Sequence, residues 1–228
     1  PGTASMHRYT DGDLSTATTI GELLNVKFSN TASSVEDLVG GGMFVSDGMS
    51  IQAAIDAADP GSVINVAAGT YAENLTVPKS VDIRGPNTGV AGNGTRAPEA
   101  IVMPAASAIS SGEIIHVAAC DVSISGLTID GDNPALTSGF FGTNGADIDA
   151  AEGITSYETN INNLTVSNNI IRNLSYFGVT LYDYPAGSAT AGHVVSGNLI
   201  KDLGTYDTGS GVAKWGGGVL IYNNQYTR

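Results

Sequence analysis

The chain has little of several things that most folds rely on. One cysteine, Cys120, in 228 residues rules out an intramolecular disulfide framework. Placed after Ala118-Ala119, it reads as a small buried hydrophobe. Charged residues make up only 14%, and nine of them are basic, against 22 acidic, for a net charge of −13. So few cations exclude a nucleic-acid groove or an anionic-lipid surface. No apolar run approaches the roughly 18 residues of a membrane span. A mean hydropathy of +0.07 with 42% apolar residues is too hydrophobic for a disordered acidic tail. The chain opens at Pro1 without an initiator Met or a signal-peptide pattern and closes at Arg228 just after a strand. It therefore reads as an excised segment with a truncated C-terminal end and further coils beyond. Low charge with abundant Ser, Thr, Asn and Gly gives the expectation of an extracellular or cell-surface location.

What the chain has is a single helical pattern followed by many short strands. Residues 1–47 read as an irregular leader, with one capped helical turn at Ser34–Val39. Ile51, Ala54, Ile55 and Ala58 fall at i, i+3, i+4 and i+7, which puts them on one narrow face. Ser50 is a suitable N-cap and Pro60-Gly61 a stop, giving a helix over about 50–59. From there the period becomes two. Val63–Val66, Leu75–Val77 and Val81–Ile83 read as strands, and Ala68-Gly69-Thr70-Tyr71 as a turn. The lack of a second helix argues against βαβ units.

Internal repeats set the architecture. Val166-Ser167-Asn168-Asn169-Ile170-Ile171-Arg172-Asn173-Leu174 returns 29 positions later as Val195-Ser196-Gly197-Asn198-Leu199-Ile200-Lys201-Asp202-Leu203. Ile124–Gly131 fits the same template 42 positions earlier, and Val81–Gly85 matches Val122–Gly126 at a spacing of 41. A second strand type recurs at Gly153-Ile154-Thr155-Ser156-Tyr157, Gly178-Val179-Thr180-Leu181-Tyr182 and Gly218-Val219-Leu220-Ile221-Tyr222. Such periods with variable loops predict a solenoid. Its inward Val, Ile and Leu would stack as columns, Asn169 and Asn198 as an amide ladder, and Tyr157, Tyr182 and Tyr222 as an aromatic one. Gly85, Gly126, Gly178 and Gly218 read as turn markers.

The stretch from Ser50-Ile51-Gln52-Ala53-Ala54-Ile55 through Ile64-Asn65-Val66, Gly69-Thr70-Tyr71 and Glu73-Asn74-Leu75-Thr76-Val77 to Val81-Asp82-Ile83-Arg84-Gly85 resembles the N-terminal part of right-handed parallel β-helix proteins of the pectin-lyase-like superfamily. The resemblance implies an all-β, right-handed parallel β-helix solenoid over 48–228, with the helix as its N-terminal cap. That superfamily holds enzymes, adhesins and surface-layer proteins, so the fold leaves function open. Gln-Asp-Thr-type pectinesterase motifs, the Asp-Pro-His-Glu motif of alginate epimerases and the paired Asp of polygalacturonases are not found. Tyr182-Asp183-Tyr184-Pro185 is no match for the epimerase motif.

Two groups of candidate site residues follow. Asp130, Asp132 and Asn133 in Asp130-Gly131-Asp132-Asn133 offer oxygen ligands, so Ca²⁺ is the cofactor this pattern would take. Solvated turns explain the same residues. Asp11-Gly12-Asp13 and Asp147-Ile148-Asp149 with Glu152 are weaker instances. Tyr176, Tyr182, Asp183, Tyr184 and Trp215 place aromatic faces beside a carboxylate, an arrangement suited to sugar rings. Loops 134–153 and 204–217 would flank them. His7, His116 and His193 read as structural. The favoured expectation is a non-catalytic extracellular or cell-surface β-helix segment of a larger protein. Its role would be adhesive, structural or glycan-binding, and its partner an extracellular glycan or a neighbouring surface protein. The alternative is a polysaccharide lyase or glycoside hydrolase.

Overall fold

A computed structural model describes residues 35–36, 43–158, 161–182, 191–204, 216–222 and 226–227. It is a parallel β-helix, and each strand of the first coil finds its partner one coil further on. The first full coil is β3 (Ser62–Val66), β4 (Gly69–Ala72) and β5 (Leu75–Val77). The second is β6 (Val81–Arg84), β7 (Ala100–Met103) and β8 (Ala108–Val117). The third is β9 (Ser123–Ser125), β10 (Thr128–Asp130) and β11 (Ala150–Ser156). The fourth is β12 (Thr165–Ser167) and the long β13 (Ile170–Tyr182). The fifth is β14 (Ala191–Ser196), β15 (Leu199–Leu203) and β16 (Gly217–Tyr222), followed by β17 (Tyr226–Thr227). Ahead of them lie β1 (Val35–Glu36), β2 (Met43–Val45) and α1 (Ile51–Ala57).

Strands β2, β3, β6, β9, β12 and β14 form one sheet, with β17 added along β14. A second sheet runs β4-β7-β10-β13-β11-β8-β5. It is bent about β13, whose first half pairs with β10 and β15 and whose second half pairs with β11 and β16. The solenoid thus has three faces. The repeat offsets are the coil registers themselves: Val166 sits beside Val195 and Ile124, and Ile83 beside Ile124. Ile64, Ile83, Ile124 and Val166 form a fully buried column. Each fully buried side chain contributes about 1.5–3 kcal/mol relative to exposure.

Helix α1 seats Ile51, Ala54 and Ile55 in the core. Its N-terminus is satisfied twice. The Ser50 hydroxyl accepts from the Ala53 N–H, and the Glu73 carboxylate of the first coil accepts from the Ile51 and Gln52 N–H groups at 2.9 and 3.1 Å. The helix is therefore fixed to the stack it closes, as the sequence predicts.

Several local expectations are corrected. Residues 69–72 are strand β4 rather than a turn, because Tyr71 turns inward and its hydroxyl donates to the Ala67 carbonyl at 2.8 Å. Val35–Glu36 is a short strand antiparallel to β2, not a helical turn, and the main sheet starts at β2, inside the expected leader. Gly153, Gly178 and Gly218 lie within strands. Gly153 and Gly178 serve close approach: a Cβ on Gly153 would sit 2.5 Å from the Gly178 carbonyl oxygen, and one on Gly178 2.7 Å from that of Gly218. Cys120 is half-buried, and its Sγ accepts from the Asn162 N–H at 3.3 Å.

The corners repeat in register as well. Gly126, Asn168 and Gly197 share one turn position and are all left-handed, with φ of 71°, 58° and 64°. This is the conformation that Gly and Asn tolerate best. Just beyond it, the buried Asn169 amide donates to Asn198 Oδ1 at 3.1 Å and to the Ile124 carbonyl at 3.0 Å, which forms the expected ladder.

One loop departs from nearest-neighbour stacking. Residues 85–99, inserted in the second coil, lie over these turns. Arg96 pairs with Glu99 at 2.6 Å and donates to the carbonyls of Leu127 and Asn168, in the third and fourth coils. The Gly92 N–H reaches the Gly197 carbonyl of the fifth. Burial pushes the Glu99 carboxyl up, but hydrogen bonding and charge from Arg96 outweigh it, and the net shift is downward.

Candidate functional site

The two acidic regions picked out in the sequence have different surroundings. At the corner after β10, the Asp130 carboxylate is buried and accepts three hydrogen bonds. Arg172 Nε gives one to Oδ2 at 2.8 Å, with its Nη2 in ion-pair contact at 2.8 Å, while Asn173 and the Asp132 N–H give one each to Oδ1, at 2.7 and 3.2 Å. Asn133 Oδ1 accepts from the Ala135 N–H, and its amide donates to the Pro104 carbonyl. Asp132 is half-buried; burial first, then the charges of Asp130, Asp149 and Asp147, push its carboxyl up. Of the three candidate ligands, Asp130 and Asn133 already have side-chain oxygens engaged by protein donors. Among the described residues no group of three His, Cys, Asp or Glu is placed to hold a metal ion. The Asp-Gly-Asp-Asn pattern is a turn closed by the next coil.

On the third face the arrangement is open. Outward residues of β8, β11, β13 and β16, or just beyond their ends, bring together His116, Tyr157, Tyr182 and Tyr222. The Tyr182 and Tyr222 rings lie parallel, 4.8 Å apart and 5° from coplanar orientation. Tyr157 meets Tyr182 edge-on at 6.1 Å, and His116 stacks on Tyr157 at 6.3 Å. Tyr157 and Tyr222 are 40% and 49% exposed, so the ladder is open to solvent, although the facing sides of Tyr182 and Tyr222 cover each other.

Three carboxylates flank it. Glu113 and Glu152 stand side by side in register on adjacent coils. The Tyr157 hydroxyl donates to Glu152 Oε2 at 2.6 Å. Glu113 and Glu158 lie 3.6 and 3.4 Å from the two nitrogens of the His116 ring. Burial pushes the Glu152 carboxyl up; the Tyr157 hydrogen bond opposes this and the Glu113 charge adds to it. Burial, then the Glu152 carboxylate, pushes the Tyr157 phenol well above its ordinary value. A half-buried carboxylate held by a phenol beside a second carboxylate, along a row of aromatic rings, can take both hydroxyls and C–H faces.

A protein-family model described as "Protein of unknown function (DUF1565)" matches residues 48–224. The chain belongs to the DUF1565 family. No curated protein and no solved structure matches it. The match covers every residue of the ladder, the strands that position it and the capping helix of this DUF1565 chain.

Of the residues predicted for glycan contact, Tyr182 is in the ladder. Tyr176 lies on β13 away from it, half-buried and stacked on Phe177 at 6.4 Å. Asp183, Tyr184 and Trp215 lie outside the described residues, as does Asp11-Gly12-Asp13. His116, Glu113 and Glu158 were missed, and Glu152 was assigned to the wrong neighbours. The register between β8 and β11 is an offset of 39, not the 41 or 42 of the visible repeats. It sets Glu113 beside Glu152 and His116 beside Thr155, two residues before Tyr157, so the repeats alone do not reveal this grouping. His193, in contrast, is buried and accepts from the Leu164 N–H at 3.3 Å, a structural role.

Proposed function

We propose that this DUF1565 domain is a non-catalytic extracellular or cell-surface β-helix that binds a glycan along its third face. The observation that carries the reading is the solvent-facing ladder of His116, Tyr157, Tyr182 and Tyr222, one ring per coil, flanked by Glu113, Glu152 and Glu158. Tyr rings offer a flat apolar surface with a polar rim, and carboxylates accept from hydroxyls. A repeating surface of this kind suits a repeating polymer. The helix-capped N-terminal motif supports placing the domain within the pectin-lyase-like superfamily. Among the described residues no helix is long and apolar enough to cross a membrane. A glycan array on the whole chain tests the reading. Retention of at least one glycan class, lost in Tyr182→Ala, is expected; no retention on any glycan sinks it.

A second reading, a polysaccharide-active enzyme, is favoured by one observation: Glu152, pushed up by burial, stands one coil from Glu113. Paired carboxyls with one holding its proton are what glycoside hydrolysis uses. Release of reducing ends or unsaturated products in a depolymerisation screen, abolished by Glu152→Gln, would replace the non-catalytic reading.

A further inference from the structure

We infer that the glycan this face recognises carries free amines, as a polymer of 2-amino-2-deoxy sugars does. The inference rests on the glycan-binding reading above and adds the chemistry of the substrate. Three carboxylates, Glu113, Glu152 and Glu158, line the ladder. Among the described residues the only basic group within ion-pair distance of Glu113 and Glu158 is the His116 imidazole, and Glu152 is held by a phenol instead of a cation. Even with His116 protonated, the described residues of this face keep a negative excess. An anionic polyuronate would meet like charge here, which costs affinity.

An ammonium meets two complementary features. Carboxylates give charge-assisted hydrogen bonds, and Tyr rings attract cations. Tyr157 and Tyr222 are both well exposed, and each lies within a ring contact of Tyr182. The net −13 of the whole chain adds long-range attraction for a polycation. The sugar rings distinguish this ligand from a plain polyamine. Their C–H faces lie on the Tyr rings while the amines reach the Glu row, so recognition needs both columns.

The test compares four probes on the full chain by isothermal titration calorimetry in about 150 mM salt, which screens surface charge beyond roughly 8 Å. They are a glucosamine hexamer, its fully N-acetylated counterpart, a galacturonate hexamer and hexalysine. The expected result is glucosamine binding at least tenfold tighter than the N-acetylated form, with galacturonate not binding. Glu152→Gln and, independently, the exposed Glu158→Gln each weaken glucosamine binding about tenfold. Tyr182→Ala abolishes it, and Lys201→Ala, on a different face, leaves it unchanged. Equal or tighter binding of the N-acetylated hexamer overturns the amine assignment and leaves the glycan reading standing. Hexalysine binding as tightly as glucosamine, and insensitive to Tyr182→Ala, overturns it in favour of a basic peptide. Binding of no glycan overturns both. Near-native melting of Glu158→Gln keeps the test valid if Glu152→Gln fails to fold.

Discussion

Asp130 and Glu152 lie on the same sheet, one on each side of the bend in β13, and both come from segments of the sequence that look equally acidic. Asp130 is met by Arg172, Asn173 and a backbone N–H. Glu152 is met by one phenol and stands beside another carboxylate. The first arrangement is self-sufficient and serves stability. The second is left with capacity for a partner. Acidity in the sequence is thus a poor guide to a site; what separates the two is whether the next coil supplies the counter-group.

Mutations can break this contrast. The largest stability effect is expected from Asn173→Ala, at the closed corner. It removes the bonds to Asp130 and Asn144 and puts a Cβ residue without local polar support at φ 56°. A loss of about 2–4 kcal/mol in urea unfolding is expected, and Asn173→Gly should recover part of it. Arg172→Ala follows, at about 1–3 kcal/mol, discounted because the Arg side chain is 36% exposed while Asp130 is nearly covered. At the open ladder the order reverses. Tyr182→Ala should abolish glycan retention on an array while costing about 1 kcal/mol of stability or less, since such aromatic pairs are worth about 0.5–1.5 kcal/mol. A loss larger than that of Arg172→Ala would erase the distinction.

The smallest effect depends on pH. Asp149 is buried and, despite the Asn133 N–H, its carboxyl is pushed up by burial. A carboxyl raised in the folded state contributes stability that is complete below the unfolded value of about 3.9 and declines as pH rises through the native one. Asp149→Asn is therefore expected to raise Tm modestly at pH 7, with the difference closing near about pH 3. An unchanged Tm at neutral pH would show that burial imposes no penalty on this carboxylate.

Much of the fold was legible because coil register leaves a trace in the sequence. Offsets of 29, 41 and 42 residues recur in the strand pairs Val166–Val195, Ile83–Ile124 and Val166–Ile124. The helix was legible from Ile51, Ala54 and Ile55. Strand β4 was not, because Gly69-Thr70-Tyr71 has turn composition, and what makes it a strand is pairing with β7 on the next coil together with the inward packing of Tyr71. Gly178, read as a turn marker, lies within a strand for a related reason: its requirement comes from the neighbouring Gly218 carbonyl rather than from a turn. Of the site, the Tyr column was visible as a repeat, whereas the counter-groups of each carboxylate were not. Arg172 answers Asp130 across 42 residues, a pairing visible only when the same offset is applied to charged residues.

Solenoids usually behave like a row of dominoes, each unit sensing only the one beside it. The strap over residues 85–99 changes that. Through Arg96 and Gly92 the second coil is tied to the third, fourth and fifth at once. Peeling the stack from its C-terminal end must break the Gly92–Gly197 tie as soon as the fifth coil leaves. A disturbance there is felt three coils away in one step, so the domain is set up to open as a unit under load instead of unravelling rung by rung.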